Sequence, residues 1–243
     1  MSGPVLILGA SGGIGSAVAR CLSQSGRHVV LHGRNARALQ ELAATMPGPA
    51  SVQTADLIDE QAVNELFARL TAEHGRLGGV VFSIAVPFRN KLTHRIAWPV
   101  FEEQLHTQLK ALHLTAAASF PLLADGESVT RFVVVSTEFV LGAPPVKTAP
   151  YVAAKAAMTS YAQVISQEWL ARGIRVHIVA PGLVKTALVA DMPQEFLDQM
   201  ADSMPEKRLT SVEDVAAMIE FLFTDAADPF YGTPLRVSRG VRK

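Results

Sequence analysis

The chain predicts an α/β fold of one domain, a doubly wound parallel sheet flanked by helices, on three observations. Apolar runs of strand length alternate with amphipathic runs of helical length from end to end. The 243 residues suffice for one large domain with a full core and would be cramped for two. The 49% apolar and 18% charged composition suits strands buried on both faces.

The first unit is the apolar run Val5-Leu6-Ile7-Leu8. It passes through Gly9-Ala10-Ser11-Gly12-Gly13-Ile14-Gly15 into a helical pattern with apolar positions at Ile14, Ala17, Val18, Cys21 and Leu22. A strand at 28–31 then precedes a helix at 36–45, one at 51–54 a helix at 60–74, and one at 79–84 a long helix at 98–123. The series continues with a strand at 131–136, a helix at 151–172 and a strand at 175–179. Helical stretches at 194–204 and 212–223 and a last strand at 234–237 complete it. Crossovers of helical length force neighbouring strands to run parallel. There is no internal repeat and no low-complexity linker, so residues 1–243 read as one domain. The least regular segments, 87–99 and about 186–208, each follow a strand. The ligand crevice of an open parallel sheet lies beyond the carboxyl ends of its strands, so these segments are expected to wall a substrate site.

Charge and composition exclude several function classes. Lys and Arg total 22, as do Asp and Glu, so no global field favours nucleic acid or an anionic membrane surface. No apolar stretch reaches the roughly 18 residues that span a bilayer, and the N-terminus lacks the pattern of a signal peptide, so a cytoplasmic location is expected. Cys21 is the single cysteine, which rules out an internal disulfide and points to a buried structural thiol. The seven histidines lack paired metal-ligand spacing, so no metal is expected.

The glycine turn has the features needed to hold a dinucleotide pyrophosphate. Gly9 permits a tight turn, Gly13 close approach of backbone to phosphate, and Gly15 close packing of helix on strand, while the first helical N–H groups face the anion. After the second strand stands Gly33-Arg34-Asn35, where a preference for the unphosphorylated dinucleotide would place a carboxylate. Arg34 instead suits a 2′-phosphate, with Arg37 nearby to assist, and the expected cofactor is NADP(H). Asp56, followed by Leu57, is a candidate for the adenine amino group, with helix N-capping as the other reading. Tyr151 and Lys155 stand four apart on one helix face, where an ammonium would favour the phenolate and lower the Tyr pKa. That helix follows a strand ending in Ser136-Thr137 and precedes one ending in Pro181-Gly182.

Taken together, these motifs, with Pro181-Gly182-Leu183-Val184-Lys185-Thr186, make the chain resemble the short-chain dehydrogenase/reductase family over essentially its full length. Its nearest likeness is to the carrier-protein ketoreductases of fatty acid and polyketide assembly. The resemblance implies a Rossmann fold and reduction of a ketone by NADPH. The ketone would be a small molecule or bound to a carrier protein, such as a β-keto acyl thioester or a specialised-metabolite intermediate. Tyr151 would protonate the carbonyl oxygen, Lys155 would hold the nicotinamide ribose and lower the Tyr pKa, and Thr186 would touch the carboxamide. Ser83, Ala85, Pro181, Gly182 and Val184 would join the glycine turn, Ser11, Gly12, Ile14, Arg34, Asn35, Asp56 and Leu57 around the cofactor. The helices at 98–123 and 151–172 would form a homodimer or homotetramer contact.

Several positions depart from the family pattern. Ser83-Ile84-Ala85-Val86 stands for Asn-Asn-Ala-Gly, Leu8 for a Thr, and Ser238-Arg239-Gly240 for Asp-Gly-Gly. Gln108 stands for the Asn that anchors a proton-relay water, with one more methylene. The catalytic Ser aligns with Thr137 or Ser136, and Thr137 is favoured because only one of two successive strand residues can face the site. Arg89, Lys91, His94 and Arg95 form a basic cluster suited to an acidic carrier or an anionic substrate. Residues 187–204 have the make-up of a lid or of a plain surface helix. The competing readings are oxidation of an alcohol or redox-neutral chemistry, and a catalytically idle cofactor-binding scaffold.

Overall fold

The computed structural model describes residues 3–87, 90–124, 128–190 and 192–240. Its elements are β1 Val5–Leu8, α1 Gly13–Gln24, β2 Val29–Gly33, α2 Ala36–Ala43, β3 Ala50–Thr54, α3 Glu60–His74, β4 Gly79–Phe82, α4 Trp98–Leu105, α5 Ala111–Leu123, β5 Thr130–Val135, α6 Ala149–Glu168, β6 Ile174–Pro181, α7 Gln194–Ser203, α8 Val212–Leu222 and β7 Pro234–Val237. The strands form one parallel sheet in the order β3-β2-β1-β4-β5-β6-β7. The expected doubly wound α/β sheet is therefore present.

Burial on both faces explains why the strands read as continuous apolar runs. On β1, Leu6 and Leu8 join the core under α3, α5 and α6, whereas Val5 and Ile7 join the core under α1, α2 and α8. On β5, Phe132 and Val134 face the first core and Val133 and Val135 the second, as the two-residue period of a strand requires. The chain winds outward through β2 and β3, then returns to place β4 on the other side of β1, with Val5 opposite both Val29 and Gly79. That reversal opens a crevice beyond the carboxyl ends of β1 and β4.

Two glycines let the crevice form. Gly9 turns the chain out of β1 at φ +85°, and Gly15 lies so close to it that a Cβ there would stand 2.2 Å from the Gly9 carbonyl oxygen. The N-terminus of α1 is thereby drawn over the end of β1. Its cap residue, Gly12, offers no side-chain hydrogen bond, and the first turn carries no acid.

Element boundaries shift in informative ways. The helix expected over 98–123 is interrupted by a π-helical turn at His106–Lys110, whose wider i→i+5 spacing accommodates an extra residue between α4 and α5. The helix expected over 151–172 starts at Ala149 and ends at Glu168. A 3₁₀ turn at Leu170–Arg172 follows, closed by Gly173 at φ +74°. Val184 bridges to Thr210, which closes the base of the excursion carrying a short 3₁₀ turn and α7. Beyond β7, Arg239 pairs with Asp214, the residue that completes the Ser211 capping box of α8. Ser238-Arg239-Gly240 thus fastens the C-terminal stretch to α8. Cys21 is half-buried rather than buried, with its thiol 3.4 Å from a Glu220 carboxylate oxygen, and burial together with that carboxylate pushes its pKa up to about 11.

Gly15→Ala is expected to lower unfolding stability by about 1–3 kcal/mol, because the added methyl must displace backbone rather than a flexible side chain. An unchanged urea midpoint would contradict the close approach of Gly15 to Gly9.

Candidate active site

The crevice divides into two cavities. The first is lined by Gly9, Ser11, Gly12, His32, Gly33, Arg34, Asp56, Leu57, Ser83 and Ala85, among others. The chain leaves β1 with the Gly9 and Ala10 N–H groups donating to the His32 carbonyl at 3.1 and 2.8 Å, and with the Leu8 carbonyl accepting from Ser83 N–H at 3.0 Å. Backbone hydrogen bonds therefore hold the glycine turn to the ends of β2 and β4. Arg34 is exposed on the cavity wall. Asn35 is turned to another task, its side chain accepting from Ala38 N–H at 3.2 Å as the N-cap of α2. Arg37 pairs with Glu41 in solvent and does not line the cavity. Asp56 accepts from Ile58 N–H at 3.2 Å while Asp59 caps α3, so Asp56 is a cavity-lining residue and not the N-cap. Composition alone did not flag His32, which is buried in this wall. Its desolvation pushes its pKa down to about 4, so the ring is neutral.

The second cavity contains Tyr151, Lys155, Ser136 and Thr137, with Ile14, Pro181, Gly182, Val184 and Thr186 around them. Gly13 meets this wall directly, since a Cβ there would lie 2.7 Å from the Thr186 Cγ2. Thr186 Oγ1 accepts from Leu188 N–H at 3.4 Å and so caps its own short turn. Successive strand residues point apart, and the two hydroxyls after β5 divide accordingly. Ser136 Oγ is 2.6 Å from Thr159 Oγ1 within the interior, whereas the Thr137 side chain is hydrogen-bonded to Tyr151.

Lys155 is 2% exposed, and its ammonium donates to the Val135 carbonyl at 2.8 Å and the Ile84 carbonyl at 3.3 Å. It lies 6.0 Å from the centroid of the Tyr151 ring. Burial dominates both groups. It pushes the Lys155 pKa down to about 7 and the Tyr151 pKa up to about 12, against the opposing pull of the Thr137 hydrogen bond. The Tyr151 shift follows burial and the Thr137 hydrogen bond, while the Lys155 ammonium faces two carbonyls.

Gln108, the remaining expected site residue, lies in the π-helical turn that packs against α6. It sits wholly buried in the π-helical turn and donates to Gln104 Oε1 at 2.7 Å, and it lines neither cavity. Its own Oε1 is buried with no hydrogen-bond partner among the described residues. Gln104 reaches the Pro87 carbonyl at 3.4 Å, which links the turn to the loop after β4. The four-residue spacing of the two glutamines is the signal that would have found Gln104. In the basic cluster, Lys91, His94 and Arg95 are exposed around a 3₁₀ turn, and Arg89 lies outside the described residues. Among the described residues no group of three His, Cys, Asp or Glu side chains could hold a metal ion, and no helix is long and apolar enough to cross a membrane.

Comparison with known proteins agrees with this geometry. Residues 9–242 match the family model described as enoyl-(acyl carrier protein) reductase. The chain is 30% identical to a cis-4-hydroxycyclohexanecarboxylate dehydrogenase of Sinomonas cyclohexanicum, over 97% of this chain and 94% of that one. It is 27% identical to the 3-oxoacyl-[acyl-carrier-protein] reductase FabG of Rickettsia conorii, over 97% and 95%. The crystal structure of a short chain dehydrogenase from Burkholderia cenocepacia in complex with NADP superposes with a TM-score of 0.87 at 25% identity, covering 98% of this chain and 96% of that one.

Because the folded Lys155 pKa of about 7 lies below its unfolded value near 10.4, the unfolded chain binds the extra proton between those pH values. Stability should therefore rise from pH 7 towards pH 10, by up to ~1.4 kcal/mol per pH unit from this group. Lys155→Met should flatten that rise in chemical denaturation across the range. An equal slope in both proteins would contradict the burial-driven shift.

Proposed function

The chain belongs to the short-chain dehydrogenase/reductase family, and we propose that it reduces a ketone to a secondary alcohol with NADPH, Tyr151 serving as the acid. The observation that carries this reading is the convergence of Tyr151, Thr137 and Lys155 in one apolar cavity that adjoins the glycine turn.

The residues present fit the dinucleotide. The α1 N-terminus is free of side-chain caps and acids, and Gly13 and Gly15 stand where a Cβ would collide with Thr186 or with backbone. Arg34 sits on the wall where an adenosine 2′-phosphate would lie, with neutral His32 buried beside it. Ile14, Pro181, Gly182, Val184 and Thr186 would enclose the nicotinamide half, and Ser83 and Ala85 border both cavities. When bound, NADPH supplies a hydride to the carbonyl carbon.

The chain's own residues manage the proton. With its pKa near 12, Tyr151 holds its proton at neutral pH and can release it to an oxygen that becomes alkoxide-like, a much stronger base. Thr137 fixes the phenol by their shared hydrogen bond. Lys155, with a pKa near 7, can gain or lose a proton at working pH and is positioned by the Ile84 and Val135 carbonyls. Gln104 and Gln108 brace the loop after β4 rather than join this group. Leu183, Leu188, Val189 and Met192 line the reacting end with apolar surface.

Both a β-keto acyl thioester, from the likeness to FabG, and a ring ketone, from the likeness to the hydroxycyclohexanecarboxylate enzyme, fit a ketone-reducing site. The second relative is named a dehydrogenase, which supports testing the alcohol-oxidising direction as well. We assign a homodimer or homotetramer built on α5 and α6. Val164 on α6 is 56% exposed, and Leu109, Leu114, Phe120 and Tyr161 are only partly buried against the core. Light scattering should give twice or four times the chain mass, and a monomer at micromolar concentration would contradict the assignment.

Tyr151→Phe should abolish ketone reduction while NADPH still quenches protein fluorescence with near-native affinity; retained turnover would refute the acid role. Arg34→Asp should weaken NADPH binding far more than NADH binding, and equal losses would refute the 2′-phosphate assignment.

A further inference from the structure

A third cavity of about 480 Å³ opens beside the Tyr151 cavity, and the two share Phe139, Leu183 and Met192. Its walls are almost wholly apolar, with Phe196 and Met200 of α7 facing it four residues apart. That volume accepts a body the size of a substituted six-membered ring. Among the described residues, Lys147 is the one charged side chain on its wall.

Lys147 is held in place by its backbone. It sits at φ +68°, a conformation that L-residues rarely adopt, between Pro145 and a Thr148 whose hydroxyl donates to the Pro145 carbonyl at 2.6 Å. The side chain is exposed and makes no ion pair among the described residues. The acids Glu195 and Asp198 of α7 do not line the cavity, and Asp198 accepts from Gln194. Lys185, at the neighbouring edge, is hydrogen-bonded to Gln194. Among the described residues, therefore, the mouth presents a cation with no acid on the same wall, beside the cavity that holds Tyr151.

Building on the ketone-reductase reading, we propose that the preferred substrate is an apolar, ring-sized ketone bearing an anionic group, a carboxylate, remote from the carbonyl, with Lys147 as the residue that recognises it. The carbonyl lies at Tyr151 and Thr137, the ring lies against Phe139, Leu183 and Met192, and the carboxylate pairs with the Lys147 ammonium.

The test compares 4-oxocyclohexanecarboxylate with its methyl ester and with the N-acetylcysteamine thioester of acetoacetate, following NADPH oxidation by the purified protein, Lys147→Gln and Lys147→Arg. The native protein should favour the carboxylate over the ester in kcat/KM by roughly five- to tenfold, expressed mainly in KM. Lys147→Gln should bring that ratio close to one, Lys147→Arg should keep it, and added salt should compress it. Equal use of acid and ester by the native protein, an unchanged ratio in Lys147→Gln, or turnover confined to the thioester would overturn the proposal while leaving the reductase reading intact. Absence of turnover with all three ketones, in protein that binds NADPH, would overturn both.

Discussion

A single buried ammonium joins the parts of this fold that make chemistry possible. Lys155 of α6 reaches under the sheet edge and donates to the Val135 carbonyl at the end of β5 and to the Ile84 carbonyl just beyond β4. Those carbonyls belong to chain leaving the sheet, where neighbouring strands no longer supply partners, and an apolar side chain in place of Lys155 would leave them buried and unpaired. The same contacts set the height and rotation of α6, and with it the position of Tyr151 one turn earlier. Catalytic geometry and strand-end satisfaction thus rest on one side chain, and its cost is a charge taken out of water.

That cost changes how the site must work. An ammonium that donates to two carbonyls, and whose pKa burial brings down to about 7, holds its charge against a desolvation cost. The phenol remains protonated, and the hydroxyl that touches it belongs to Thr137. On the proposed reading, this is the proton-donating form of the tyrosine that ketone reduction needs first. Running the reaction in the alcohol-oxidising direction requires a base, and the phenol becomes one only when a nearby positive charge favours the phenolate.

Much of this was legible in the residues because periodicity records burial. Strands covered on both faces read as unbroken apolar runs, and the crossover lengths left only a parallel sheet, so element order and the glycine turn were readable from Val5 to Gly15. The constellation of Tyr151, Lys155 and Thr137 was readable through spacing and strand parity. Other features depend on tertiary context. Nothing in residues 98–123 signals the π-helical turn, because local propensity is the same for α and π spacing. Gln108 carries the amide its position suggested, and the presence of Gln104 one turn earlier, which draws it into a buried pair, shows only in the folded chain. Asn35 stands in the sequence among the expected cofactor contacts, and only the start of α2 shows its side chain capping that helix.

The position of Lys147 shows how backbone strain can carry information about function. A lysine at φ +68° is disfavoured relative to glycine by roughly 1 kcal/mol, and glycine or asparagine would relieve it at no cost to the surrounding packing, since the side chain is exposed. Pro145 before it and the Thr148 hydroxyl after it hold the turn whichever residue occupies the strained position. The stability argument therefore gives no reason for a long cationic side chain there. A reason arises from the apolar cavity that this turn borders: its walls offer a ligand burial, and from the strained position Lys147 adds the charge that, among the described residues, the rest of the wall lacks.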